Sequence, residues 1–401
     1  MTLAGRRRTH GALALAGIAA LTLAACGSSK SSTGNAGNAT PTTSAKSSSG
    51  STQTLKVGFF GALTGPDAQL GINIKNGAQL AVTQYDASNP PVKVELDPFD
   101  SQGNPAQANN GAQKMINDKV VAVIGPAFSG ESATADPIFE TAQIPSVSAS
   151  ATAVKLAQNG WKYFHRVVAA DDAQGPGDAD YLVKVLKDTK VAAIDDSSTY
   201  GEGLANAVRS QVSADGASVV LSDHINPNGQ DYGASVNKVI AAHADAVFFG
   251  GYYDAAGRLV NQLRAAGYTG TFMSGDGSED QRFVSDAGGA PAEGSYLSCP
   301  CADTTSSTNP AAQAFVSAYR AAFGTPPEIY SAEAYDAAGV VLAAIKAGNT
   351  TGPTINSWLA SNSYQGITKT IKFQPDGNIV GSTIYIYKVE NGKIVQIATT
   401  S

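Results

Sequence analysis

From Leu55 onward, apolar residues recur in two alternating rhythms, and the alternation predicts strand and helix in turn for most of the chain. Leu55 to Leu63 reads as a strand ended by a Thr64-Gly65-Pro66 turn. Ile74, Ala78, Ala81 and Tyr85 then return every three or four residues, which marks one face of a helix. Val92 to Phe99 is the next strand. Asn104-Pro105 starts a helix with proline at its first position, and Ala108, Ala112, Met115 and Ile116 supply the apolar stripe. Val120 to Ile124 is an unbroken apolar run, as expected of a strand buried on both faces. It stops at Gly125-Pro126, and Ser129-Gly130-Glu131 opens a helix. A short strand from Pro145 to Ala149 ends in the hydroxyl-rich run Ser148-Ala149-Ser150-Ala151-Thr152. This βαβαβαβ order predicts a parallel sheet with right-handed crossovers and helices on both faces.

An aromatic strand, Tyr163 to Val168, is followed by Asp171-Asp172-Ala173-Gln174-Gly175-Pro176, which reads as a crossing point. A second series begins there with a helix from Asp178 burying Leu182, Val183 and Leu186. Strands are expected at Lys190 to Ile194, Ser218 to Ser222, Ala246 to Phe249 and Thr271 to Met273. Between them fall helices carrying Leu204, Val208 and Val212, then Val236, Val239 and Ile240, then Leu259, Val260 and Leu263. Beyond Cys301 the pattern gives helices at Pro310 to Phe323, Ala332 to Ala347 and Thr354 to Ser361, and strands at Gly366 to Phe373 and Thr383 to Val389. Two βα series in one chain predict an α/β protein of two doubly wound parallel-sheet lobes facing each other.

Length and composition fit that picture: 401 residues suffice for two domains, and 43% hydrophobic with 15% charged residues is a globular balance. The N-terminus reads as an export signal, with Arg6 to Arg8 before an apolar stretch from Gly11 to Leu23 that is too short for a permanent membrane span. It ends Leu23-Ala24-Ala25-Cys26-Gly27, which resembles the bacterial lipoprotein processing site, where the Cys26 thiol would be acylated. The Ser/Thr/Gly-rich stretch up to residue 53 is expected to be a flexible tether holding the folded body at the outer face of the cytoplasmic membrane. Without residues 1–25 the formal charge of -6 loses three arginines and becomes -9. With no basic patch, nucleic acid is excluded as a partner. Cys299 and Cys301, spaced Cys-Pro-Cys, are either two free thiols or a local disulfide, and an exported setting favours the disulfide.

Candidate chemistry concentrates at the strand ends. Beyond the carboxyl ends of parallel strands, helix N-termini and hydroxyls collect ligands, and the Ser129 and Ser148–Thr152 segments look like a carboxylate-binding floor. The plainer alternative is two strand-to-helix turns with N-caps. No dinucleotide fingerprint, phosphate loop or nucleophile elbow occurs, and no group of residues has metal-ligand spacing. The expectation is therefore no enzyme, no cofactor and no metal.

Seven short motifs occur in order: G-A-L-T-G-P (61–66), I-G-P-A-F-S (124–129), S-A-S-A-T (148–152), A-Q-G-P (173–176), Y-G-E-G-L (200–204), F-F-G-G-Y (248–252) and A-Y-D-A (334–337). The series resembles the periplasmic binding proteins of branched-chain amino acid ABC transporters, over essentially all of Leu55 to Ile397. The resemblance implies two lobes joined by a three-crossing hinge, lobe one from 54–171 plus 302–374 and lobe two from 172–301 plus 375–401. It implies an amino acid or related amide in the cleft, delivered by a monomeric protein to ABC permease subunits. A ligand-sensing module acting on a separate membrane partner is the alternative. Carried over residue by residue, Ser129, Thr152 and the backbone of Ser150 would take the carboxylate. Asp276, where the leucine-type proteins carry Glu, would take the ammonium. Tyr200 and Tyr252 would come from lobe two, with Leu70, Phe128 and Tyr330 walling the side-chain pocket. Glu333 departs from the family pattern, and an inward-facing Glu333 would favour a polar or cationic ligand.

Overall fold

The computed structural model describes residues 53–400. The signal segment, Cys26 and the tether up to residue 52 lie outside the described residues. Among the described residues no helix is long and apolar enough to cross a membrane.

The chain begins with β1 (Gln53–Gly61), α1 (Ala68–Ala87), β2 (Val92–Asp100), α2 (Ala108–Asn117), β3 (Ala122–Ile124), α3 (Ser129–Ala142), β4 (Ser146–Ser148), α4 (Lys155–Gln158) and β5 (Phe164–Arg166). These strands form one sheet in the order β2-β1-β3-β4-β5, parallel throughout. Next come α5 (Asp171–Asp180), β6 (Lys190–Asp195), α6 (Thr199–Ala214), β7 (Ser218–His224), α7 (Gly233–Ala241), β8 (Ala246–Gly250), α8 (Tyr253–Ala265), β9 (Thr271–Ser274), α9 (Gln281–Asp286) and β10 (Tyr296–Cys299). The rest is α10 (Pro310–Phe323), α11 (Ser331–Lys346), α12 (Gly352–Ser361), β11 (Ser363–Gln365), β12 (Thr370–Lys372), β13 (Ile384–Glu390) and β14 (Lys393–Thr400). The second sheet runs β14-β13-β10-β9-β8-β6-β7.

Sheet membership makes the chain pass from one sheet to the other three times, after β5, after β10 and between β12 and β13. The helices after the second passage return to the first sheet, where α11 packs along α1 and against β3 and β4. The central strands β3, β6 and β8 are almost wholly buried, as their unbroken apolar runs require.

The pattern of apolar residues misplaced some elements. Asp171 to Pro176 lies at the first passage between the sheets, where a crossing point was expected, but the stretch is helical: it is the first half of α5, and Tyr181–Leu186 continues it as a π-helical segment. Asp171 and Asp172 in the first turn favour the helix, and burial of Gln174, Gly175 and Asp178 overrides the breaking tendency of Gly175-Pro176. Of the residues expected to be buried there, Leu182 is, whereas Val183 and Leu186 are half-buried. Ile240 is exposed, on the outer face of α7. The second sheet is mixed, because β13 pairs antiparallel with β10 and with β14. Of the Gly366 to Phe373 run only Thr370–Lys372 is a strand, β12, and it pairs antiparallel with β11, which precedes the run.

Candidate ligand-binding site

Three loops converge beyond the carboxyl ends of the strands. The first follows β3, where Gly125 takes φ 115°, a conformation that side chains disfavour, and turns the chain into α3. Ser129 opens that helix, and its Oγ accepts the backbone N–H of Ala153 at 3.2 Å. The second loop follows β4. Ser148 Oγ donates to the Pro126 carbonyl (2.7 Å) and accepts the Ala151 N–H (3.0 Å), while Ser150 Oγ donates to the Ala127 carbonyl (2.6 Å). The two loops are thus sewn together by hydroxyls. Beneath them, the fully buried Arg166 donates to the carbonyls of Ala151 (3.2 Å) and Ala153 (2.9 Å) and to Asn378 Oδ1 (2.7 Å). Thr152 stands on this support with its Oγ1 buried and without a hydrogen-bond partner among the described residues.

The third loop follows β9 and carries Asp276, which is 3% exposed. Tyr200, from the first turn of α6, donates its hydroxyl to Asp276 Oδ1 at 2.7 Å, and the Tyr200 hydroxyl oxygen in turn accepts the Gly277 N–H at 2.9 Å. Tyr330, at the start of α11 on the other sheet, donates to Oδ2 at 2.6 Å. Gly277 sits so close to the Tyr200 ring and to the Gly251 carbonyl that a Cβ would lie 2.8 and 2.7 Å away, so no side chain fits. Tyr330 itself has φ 60°, a strained conformation for a tyrosine that aims it at the acid. Burial pushes the Asp276 carboxyl up, and Tyr330 and Tyr200, which donate to it, pull it back, as does the nearby Gln174 amide.

Aromatic rings close the space across the two lobes. Phe128 meets Tyr252 edge-to-face with ring centres 5.1 Å apart, and Tyr252 meets Tyr200 at 5.2 Å. Tyr253 donates to the Pro66 carbonyl (2.9 Å) and accepts the Gln69 N–H (3.2 Å), and Arg282 donates to Gln69 Oε1 (3.0 Å). These contacts hold the β1–α1 loop of one lobe against α8 and α9 of the other. An open cavity of about 570 Å³ lies at this mouth, with Tyr252, Asp67, Gln102 and Asp196 on its wall.

The residues read from the sequence therefore fall into two groups joined by one that was missed. Tyr200, Tyr330 and Asp276 bond directly, with Tyr252 and Phe128 stacked beside them. Ser129, Ser150 and Thr152 share the hydroxyl loops. Leu70 is buried in the same apolar cluster as Phe128 and Tyr330. The missed residue is Asp171, whose backbone N–H donates to the Thr152 carbonyl at 3.0 Å. Its carboxylate oxygens are buried and unpartnered. Burial and then the neighbouring Asp276 push it up to about 8, against the Thr152 hydroxyl and Arg166. Asp178, one helical face further along α5, is also buried and pushed well up by burial. The signal for both was the A-Q-G-P motif between them, whose Gln174 donates to Ser298 Oγ at 2.9 Å.

Glu333 is buried at 1% exposure but does not join this group. It lines a different cavity, with Glu279 and Cys301, that includes none of the residues around Asp276. Cys299 and Cys301 are disulfide-bonded, with Cα atoms 5.0 Å apart. Among the described residues the metal-ligating trio within reach is Glu279, Cys299 and Cys301, and the disulfide takes both thiolates out of it.

Two open sheets facing one another, with hydroxyls on one rim and a tyrosine-held acid on the other, are the plan of a two-lobed small-molecule binding protein. The chain belongs to the periplasmic binding protein family, whose family model matches residues 54–393. It is 31% identical over 346 residues to a Leu/Ile/Val-binding protein of Rhizobium johnstonii, covering 85% of this chain and 93% of that one. It is 30% identical over 340 residues to the leucine-specific-binding protein of Salmonella typhimurium, covering 83% and 90%. Among solved structures it is similar to a branched-chain amino acid transporter substrate-binding protein from Streptococcus pneumoniae in complex with isoleucine. That match has a TM-score of 0.79 and 30% identity, and covers 86% of this chain and all of the other. The two-lobed α/β fold expected from the sequence is thereby borne out.

Proposed function

We propose that the protein captures a small α-amino acid, branched-chain or closely related, between its lobes and hands it to an ABC importer. The observation that carries this reading is Asp276, buried, gripped by Tyr200 from its own lobe and Tyr330 from the other. A carboxylate has about four lone-pair sites. Two go to the tyrosines, and the remainder suit an ammonium group. The Thr152 hydroxyl, buried and unpartnered, together with Ser129 supplies donors for the carboxylate end. A zwitterion leaving water must have both ends paired, and this arrangement pairs both. Asp171 steadies the Thr152 backbone through its own N–H. The aromatic and aliphatic walls, Leu70, Phe128, Tyr252 and Tyr330, leave an uncharged side chain as the preferred fit. The Tyr330–Asp276 bond and the Phe128–Tyr252 contact form only when the lobes are closed, so closure completes the cage and presents the form the permease engages.

The same reading has the chain exported, acylated at Cys26 and working as a monomer at the outer face of the cytoplasmic membrane. The relatives' names as binding proteins support a binding role without turnover. Calorimetry of the purified protein against a panel of amino acids, amides and ureas tests the proposal. Binding in the micromolar range, about -8 kcal/mol, is expected for at least one small apolar amino acid. Silence across the panel contradicts it.

A further inference from the structure

Behind the Asp276 site, on the side where the chain passes between the sheets after β10, lies a second cavity of about 390 Å³. Its wall combines elements of both lobes: Glu279 from the loop after β9, Cys301 and Asp303 from the passage, Glu333 from the first turn of α11, and Tyr387 and Ile394 from the C-terminal hairpin. The volume is within the range of small-molecule sites.

Glu333 is the feature that the fold does not explain. It is 1% exposed, yet no Lys or Arg lies within ion-pairing distance of it among the described residues. The donors that reach it are backbone ones, its own N–H and that of Ala302, the latter at 3.4 Å. Lys369 acts on it only from a distance. Glu279 is similarly without a hydrogen-bond donor other than the Cys301 sulfur at 3.8 Å, which carries no proton once it is in the disulfide. Burying one carboxylate without an ion-pair partner is costly, and the half-buried Glu279 puts a second one on the same cavity. At the cavity's edge the balance reverses, because Arg320 and Lys393 are exposed and line it there, beside Glu328. Apolar atoms of Ile329, Ala332 and Ile394 lie between. A metal ion does not fit, since no three carboxylates among the described residues come within 4.8 Å of one another.

We propose that this cavity is a second ligand site, taking a short ω-guanidino or ω-amino acid with its cationic head between Glu333 and Glu279 and its carboxylate toward Arg320 and Lys393. The alkyl chain would cross the apolar middle. The site uses none of the residues assigned to the first, so it stands or falls independently of the amino acid reading.

The test is titration calorimetry of the purified chain with 4-guanidinobutyrate and with 4-aminobutyrate, using the native protein, Glu333→Gln, Glu279→Gln and Asp276→Asn. Saturable binding of one probe by the native protein is expected, weakened at least about tenfold by either glutamine variant and changed less than about twofold by Asp276→Asn. The two glutamine variants guard against a folding defect in one of them, and unchanged circular dichroism is required of both. No binding of either probe, or binding lost in Asp276→Asn and kept in Glu333→Gln, overturns the proposal.

Discussion

Asp276→Ala is expected to weaken amino acid binding by more than about a hundredfold, because removing one partner of a buried charge pair costs about 3–5 kcal/mol. The ammonium would be left in a water-poor space with tyrosine hydroxyls that no longer have an acid to hold. Tyr330→Phe isolates one part of this effect. It keeps the ring and deletes the 2.6 Å bond to Asp276 Oδ2. The expected loss is about 1.5–3 kcal/mol, as for a hydrogen bond to a charged group. Because that bond joins the two lobes, Tyr330→Phe is also expected to shift the protein toward the open form, which small-angle scattering without ligand would register as a larger radius of gyration. Equal affinities for native protein and Asp276→Ala would remove Asp276 from the site.

The second large effect is on stability against pH. Burial holds Asp136 and Asp171 up at about 8 and Glu131 and Glu333 up at about 7. In the unfolded chain these groups titrate near 4. Between about pH 4 and 8 the folded state therefore keeps protons that the unfolded chain has released, and stability falls as pH rises through that window. His165 works the other way. Burial lowers it to about 4, so its contribution is lost as pH falls from 6.5 toward 4. Several acids against one histidine put the maximum on the acidic side of neutrality. Asp136 lies inside α3, two turns beyond Ser129 and beside Ser132 and Ser146, and is not among the proposed ligand-contacting residues. Asp136→Asn should match the native protein near pH 4 and then gain on it by about 1.4 kcal/mol per pH unit up to pH 8. Urea unfolding at the two pH values reads this directly, and parallel curves for the two proteins would contradict it.

Much of this molecule was legible before its structure. The strand and helix series came from periodicity, since parallel strands buried on both faces give unbroken apolar runs such as Val120 to Ile124. The hydroxyls at the ends of β3 and β4 were legible because strand ends are where an open α/β sheet gathers ligands. Asp276 was placed by resemblance, and its meaning came only with the fold, when tyrosines 76 and 54 residues away in sequence proved to share it. Asp171 was missed because an acid pair before Ala-Gln-Gly-Pro reads as a crossing between lobes and not as a buried helix. Only packing of α5 against α6 and β10 turns that stretch into a buried helix. Glu333 was noticed as an odd charge, but no pattern along α11 could say which of two neighbouring cavities it faced.

Should both ends of an α-amino acid be held as described, neither can be removed cheaply. The decisive measurement is calorimetric comparison of the tightest-binding amino acid with two of its analogues, the decarboxylated amine and the N-acetylated acid. The amine keeps the group that Asp276 pairs and deletes the one that Thr152 and Ser129 pair, and the acetylated acid does the reverse. Each is expected to bind at least about a hundredfold more weakly than the parent amino acid. If either analogue binds as tightly as the parent, the pairing of both charges by these residues is contradicted.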